Sequence, residues 1–220
     1  MHAATGRSGG GPAWYFDFIS PFAYLQWQKL RLMLGEHAIE PVPMLLGAVL
    51  ETLGQRGPAE IPRKREFTYR HVLWQAHREG VPLRFPPAHP FSPLAALRLC
   101  IAAGTTPDAI GAIFDWIWAQ GRAGDSAEAL APVCERLGVD GQALAGDAVK
   151  AALRDNTQRA VEAQVFGVPT LQIGDALFWG NDAHDFAMAV MRNPGLLDGD
   201  AMRGAAALPV GVTRHPAPSG

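Results

Sequence analysis

Cysteine is scarce in this chain of 220 residues: there are two, Cys100 and Cys134, far apart and each in an apolar, helix-like stretch. A disulfide framework needs an oxidising compartment and usually more cysteines in a smaller chain. Both therefore read as reduced core residues, and the cytoplasm is the expected location. Charge of one sign is lacking too. The formal net charge of −2 leaves no basic footprint for nucleic acid or an anionic membrane. No apolar run reaches the length of a membrane span. His71, His77 and His89 are not spaced as metal ligands, and no His/Cys/Asp cluster has ligand spacing, so no metal is expected. What remains, with 48% hydrophobic and 18% charged positions, is an ordinary globular composition. It suits one domain, or one domain carrying a sizeable insertion.

The two ends differ from the rest. Residues 1–12 are rich in Gly and Ser and lack the apolar centre of a secretory signal, so a disordered leader is expected. Residues 204–220 are rich in Ala, Gly and Pro and read as a loose tail.

Between them the periodicities change twice. Trp14 to Ile19 reads as a strand. Pro21 to about Glu36 has helical spacing at Phe22, Leu25, Leu30 and Leu34, with Gly35 and His37 marking its end. Ile39–Leu46 reads as a parallel partner strand, making a βαβ unit, and Gly47–Leu53 as a short helix. Pro62–Glu79 is a charged amphipathic helix, followed by a loop dense in proline (Pro82, Pro86, Pro87, Pro90, Pro93). Helical patterns then recur at 94–103, 108–121, 127–137 and 146–165. Leu171–Ile173 and Ala176–Trp179 form a hairpin across Gly174-Asp175, and Asn181-Asp182 introduces a last helix to about Met191. The expected organisation is two α/β parts, 13–58 and 147–203, around an all-helical insertion, 59–146.

Ser20-Pro21 closes the first strand and opens a helix. Proline suits a first helical turn, where its missing N–H has no intrahelical partner to lose. A residue just before such a helix faces free N–H groups and the positive end of the dipole, a setting that favours a thiolate. Thioredoxin-like proteins carry Cys-x-x-Cys at this corner; Ser20-Pro21-Phe22-Ala23 excludes dithiol exchange there. The plain reading of Ser20 is a helix cap. Downstream, Val168-Pro169-Thr170 precedes a strand, where thioredoxin folds keep a cis proline. That arrangement turns the Val168 backbone towards a peptide-like ligand. Asn181-Asp182 offers backbone N–H groups for a carboxylate and an acid for an ammonium group, or simply an Asx cap.

Phe16-Asp17-Phe18-Ile19-Ser20-Pro21-Phe22, Phe166-Gly167-Val168-Pro169-Thr170 and Trp179-Gly180-Asn181-Asp182, in this order, resemble the 2-hydroxychromene-2-carboxylate isomerase family. That family is related to the kappa-class glutathione transferases and to the DsbA disulfide oxidoreductases. The resemblance runs from about Trp14 to Arg192. It implies a thioredoxin-like α/β fold with an all-helical insertion, glutathione as cofactor and a homodimer. It implies Ser20 as the catalytic thiolate stabiliser, and Val168, Pro169, Trp179, Gly180, Asn181 and Asp182 as further cofactor-binding residues. It implies a small aromatic substrate, for which Glu60, Lys64 (within Arg63-Lys64-Arg65) and His89 are the candidate contacts. Solvated or loop positions are the plain alternative for these three. Trp74, Phe85, Trp116 and Trp118 read as core or lid packing. The chain departs from the family on the substrate side. A lysine expected within Gly47–Leu53 and an asparagine expected near Glu60 are absent, and Ala183 stands where arginine commonly follows Trp-Gly-Asn-Asp. An isomerase is the first expectation. A kappa-like glutathione transferase and a non-catalytic thioredoxin-fold binding protein are the alternatives.

Overall fold

The computed structural model describes residues 11–33 and 38–212. At its centre is β1 (Ala13–Phe16), whose side chains alternate between two cores and are all buried. Trp14 and Phe16 enter the larger core with Phe18, Phe114 and Trp118. Ala13 and Tyr15 enter a smaller one with Val42, Met44 and Val168. A strand covered on both faces belongs inside a sheet, and the order is β2-β1-β3-β4. β2 (Glu40–Pro43) is parallel to β1, with Phe16 opposite Pro43. β3 (Thr170–Ile173) is antiparallel to β1, with Tyr15 opposite Thr170. β4 (Ala176–Trp179) returns across Gly174-Asp175 with Trp179 opposite Thr170. In this register the ends of β1, β2 and β4 meet the start of β3 at one end of the sheet.

α1 (Pro21–Leu30) joins β1 to β2. The helical run α2 (Leu46–Thr52), α3 (Pro62–Glu79), α4 (Leu94–Ala102), α5 (Pro107–Phe114) and α6 (Ala131–Leu137) follows β2 without an intervening strand. It leads to α7 (Asp147–Glu162) and the β3–β4 hairpin, then to α8 (His184–Arg192) and α9 (Asp200–Ala206). This is the βαβ, helices, ββα order of a thioredoxin-like α/β fold with a helical insertion. The insertion shares the sheet's core: the Phe114 ring centroid lies 4.6 Å from that of Phe18 and 6.4 Å from that of Trp14. No described helix is long and apolar enough to cross a membrane.

Several boundaries differ from expectation. α1 ends at Leu30 and unwinds through a turn to Met33; Gly35 and His37 lie outside the described residues. The helix expected over 108–121 widens at Asp115–Ala119 into a π turn, in which Gln120 N–H donates to Asp115 O at 2.9 Å. That turn sends the Trp118 indole inward, where Nε1 donates to Phe18 O at 2.8 Å. α6 starts at Ala131, not Ala127, because Pro132 fits only a first helical turn. α9 continues through Ala206, into the expected tail, and the described residues after it, 207–212, have no regular structure. Residues 1–10 and 213–220 lie outside the described residues.

Candidate functional site

Ser20 is the N-cap of α1. Its backbone is extended, and its Oγ accepts from Ala23 N–H at 3.2 Å. The side chain is buried but keeps an opening, at 7% exposure. Its hydroxyl hydrogen has no acceptor among the described residues, so it remains available to donate. His89 approaches this corner, yet both its ring nitrogens are engaged: Nε2 is 2.9 Å from Ile19 O and Nδ1 is 2.6 Å from the Tyr69 hydroxyl. Among the described residues Ser20 has no free general base beside it. Its hydroxyl can donate a hydrogen bond, and no side chain there is free to activate it as a nucleophile among the described residues.

Asp17 was not singled out from the sequence and is the most buried charge of the corner. Its Oδ1 accepts from Ile19 N–H at 3.1 Å and its Oδ2 from Leu46 N–H at 2.9 Å. It thus ties the β1–α1 corner to the start of α2. Burial pushes its carboxyl up to about 7, against those N–H bonds, which favour the charged form. The available signal was a lone acid within the apolar run Trp14–Ile19.

The Val168-Pro169 bond is cis. Pro169 O accepts from Gly180 N–H at 2.8 Å, whereas neither the N–H nor the C=O of Val168 has a partner among the described residues. Trp179 is 52% exposed; its indole covers Gly167, where any Cβ would collide with it, and meets Phe166 edge-on at 5.4 Å. Since Thr170 lies opposite both Tyr15 and Trp179, Ser20, Val168-Pro169 and Trp179-Gly180 gather at the same end of the sheet.

Gly180 has φ +97°, and a Cβ there would strike Asp182 Oδ1. Only glycine suits the position. Its carbonyl accepts from Gln26 Nε2 at 3.1 Å, and Gln26 Oε1 accepts from Trp14 Nε1 at 2.7 Å, so β1, α1 and this turn are linked. Asn181 turns its side chain inward. Oδ1 accepts from Lys29 Nζ at 3.0 Å, and Nδ2 donates to Gln75 Oε1 at 3.3 Å and Glu79 Oε1 at 3.4 Å. It caps no helix: α8 begins at His184, a turn later than expected, and α9 lies beyond it. Asp182 is exposed and has no ion pair among the described residues. Burial, with Lys29 nearby, holds His184 below the usual histidine range.

The substrate-side candidates are more scattered. Glu60 ends a 3-10 turn, Pro58–Glu60, and its carboxylate accepts from Gly57 N–H. The Leu50 side chain flanks that same glycine. Lys64 is exposed in the first turns of α3. His89 is enclosed by Tyr69, Phe85, Phe91 and Trp118. Trp118 is core, but Trp74 is 55% exposed, stacked between His71 and the Arg78 guanidinium. Cys100 and Cys134 are free and buried, and burial pushes both thiols up. A separate groove of about 520 Å³ lies between α2, α4 and α7. Ala48 and Thr52 line it, on the side of α2 away from Leu50.

A family model described as a DSBA-like thioredoxin domain matches residues 13–191. The 2-hydroxychromene-2-carboxylate isomerase of Pseudomonas putida is 33% identical over 182 residues, 76% of this chain and 87% of that protein. Glutathione S-transferase kappa 2 of Caenorhabditis elegans is 25% identical over 179 residues, 73% of this chain and 80% of that one. The solved structure of a selenomethionine 2-hydroxychromene-2-carboxylate isomerase superposes with a TM-score of 0.73 at 26% identity, over 86% of this chain and 98% of that one. With the serine corner, the cis proline and the Trp-Gly-Asn-Asp turn at one end of a shared fold, the chain belongs to the DsbA-like thioredoxin family and, within it, to the 2-hydroxychromene-2-carboxylate isomerases.

Proposed function

We propose that this protein is a glutathione-dependent isomerase of an unsaturated aromatic acid of the 2-hydroxychromene-2-carboxylate kind. The observation that carries the reading is the Ser20 hydroxyl. It caps α1 through its oxygen, has its hydrogen free, and stands where a disulfide oxidoreductase would need cysteine. The residues fit glutathione: a hydroxyl donor, a partnerless Val168 backbone, and an unpaired Asp182 over a glycine that leaves the backbone bare. Glutathione, when bound, would supply a thiolate nucleophile for reversible addition to the unsaturated acid, chemistry that would allow rotation about the former double bond.

The protein's own part is to hold that thiol as its anion. Ser20 donates to the sulfur, and the N-terminus of α1 adds positive potential. Val168 pairs with the peptide backbone in strand fashion. The turn at Asn181-Asp182 receives the γ-glutamyl end, its N–H groups taking the carboxylate and Asp182 the ammonium group. Lys64 is the cation offered to the substrate carboxylate. Kappa glutathione transferases are relatives at lower identity, and Leu50, Glu60 and Ala183 depart from the isomerase pattern, so a transferase is the second reading. The assembly assigned is a homodimer, supported by Phe67 and Trp74, which α3 exposes at 67% and 55%. Light scattering at micromolar concentration checks it, and a monomeric mass contradicts it. Calorimetric titration with glutathione tests the site: binding that weakens in Asp182→Ala supports it, and no binding to the unmodified protein overturns it.

A further inference from the structure

Two ring N–H groups from the helical insertion grip consecutive carbonyls just before Ser20. Trp118 Nε1 donates to Phe18 O at 2.8 Å, and His89 Nε2 donates to Ile19 O at 2.9 Å. The Ile19 carbonyl and the Ser20 N–H belong to one planar peptide. The N–H end of that peptide donates to Asp17 O at 3.1 Å. His89 and Asp17 therefore fix both ends of the peptide on which Ser20 sits.

We propose that His89, set by Tyr69, is a positioning residue for the Ser20 hydroxyl. The carbonyl of Ile19 can only accept, so Nε2 must carry the proton facing it. In the neutral ring Nδ1 is then an acceptor, and the Tyr69 hydroxyl lies 2.6 Å from it and 2.8 Å from the His89 carbonyl oxygen, its one hydrogen shared between two acceptors of the same residue. The Ile19 carbonyl selects the tautomer, and Tyr69 holds the residue from the other edge of the ring. Burial keeps the ring neutral, drawing its pKa below the usual value. The ring cannot turn outward, since Tyr69, Phe85 and Trp118 meet it with centroids 5.2, 6.0 and 5.5 Å away. Phenylalanine would fill this box equally well. The extra property of histidine is the donor, and the donor ends on Ile19.

This role rests on Ser20 being the thiolate stabiliser, but one readout does not depend on glutathione. In His89→Phe, hydrogen exchange of the Ser20 amide should quicken about tenfold. The thiol pKa of bound glutathione should rise by about half a unit to one unit. Turnover should fall about tenfold while KM for glutathione stays within about twofold. His89→Gln, which keeps an N–H donor, should recover most of each loss. Tyr69→Phe, on a half-exposed helix face, serves should His89→Phe fail to fold: Ser20 amide exchange should quicken in the same sense but less, and imidazole nitrogen shifts of the unmodified protein should show a single Nε2–H form. Unchanged Ser20 exchange in His89→Phe overturns the proposal, as does equal impairment of the Phe and Gln variants, or an Nδ1–H tautomer in the unmodified protein. An unmodified protein that leaves the glutathione pKa unshifted counts against the isomerase reading instead, while the exchange result still decides the clamp.

Discussion

Lys29 Nζ lies 3.0 Å from Asn181 Oδ1, and the same ammonium lies 3.0 Å from Glu79 Oε1. The turn after β4 is thereby fastened to α1 and α3 by side chains that are largely buried. Asn181 is 3% exposed, so its amide works as a pin, while Asp182 beside it faces outward.

Removing the pin should cost stability before it costs chemistry. Asn181→Ala leaves Gln75 Oε1 without its donor and removes one acceptor from Lys29, while Glu79 keeps Lys29. A loss of about 1–3 kcal/mol is expected, read from urea unfolding at pH 7. A variant as stable as the parent contradicts the pin.

Gly180→Ala should be worse for binding than for folding. The backbone at φ +97° is strained for alanine, and its methyl would displace the Asp182 carboxylate. About 1–3 kcal/mol of stability should go, with glutathione affinity reduced at least as much as in Asp182→Ala. Calorimetry on both variants makes the comparison.

Asp17 should leave a mark on the pH profile of stability. Its folded value, about 7, lies above its unfolded value of 3.8, so the folded state holds the proton more tightly. The favourable contribution is present below pH 3.8 and is lost as pH rises through about 7, on the order of 4 kcal/mol in all. Asp17→Asn gives up one acceptor but has no charge to bury. Its stability relative to the parent should therefore improve from pH 4.5 to pH 8; parallel curves would contradict the assignment.

Leu50 and Glu60 flank Gly57, where the family resemblance implies polar residues. Leu50→Lys with Glu60→Asn should raise turnover of 2-hydroxychromene-2-carboxylate without tightening glutathione binding. An unmodified protein that already turns this acid over efficiently would show that the substrate side has not drifted.

Much of the fold was legible because its signals are local. α3 spans Pro62–Glu79 as expected: proline opens it, and Gly80 closes it in the left-handed region. The hairpin over 171–179 follows from a short turn motif, whereas the cis state of the Val168-Pro169 bond was not legible from Val-Pro-Thr alone and is seen only in the structure. The inward turn of Asn181, the double anchoring by Asp17 and the hold of His89 on Ile19 were not legible. Each depends on partners from distant segments, as Lys29, Leu46 and Tyr69 are, and a cap-like Asn or a loop histidine reads the same with or without them. The wide turn at Asp115–Ala119 likewise answers to Phe18 O, a tertiary partner, not to local spacing.

The reaction itself is the most direct test. The purified protein, given 2-hydroxychromene-2-carboxylate and a catalytic amount of glutathione, should form trans-o-hydroxybenzylidenepyruvate with all the glutathione recovered. Ser20→Ala should slow this by about one to two decades, the worth of a hydrogen bond to a charged sulfur. Consumption of glutathione into a conjugate, turnover that needs no glutathione, or full activity in Ser20→Ala would contradict the account.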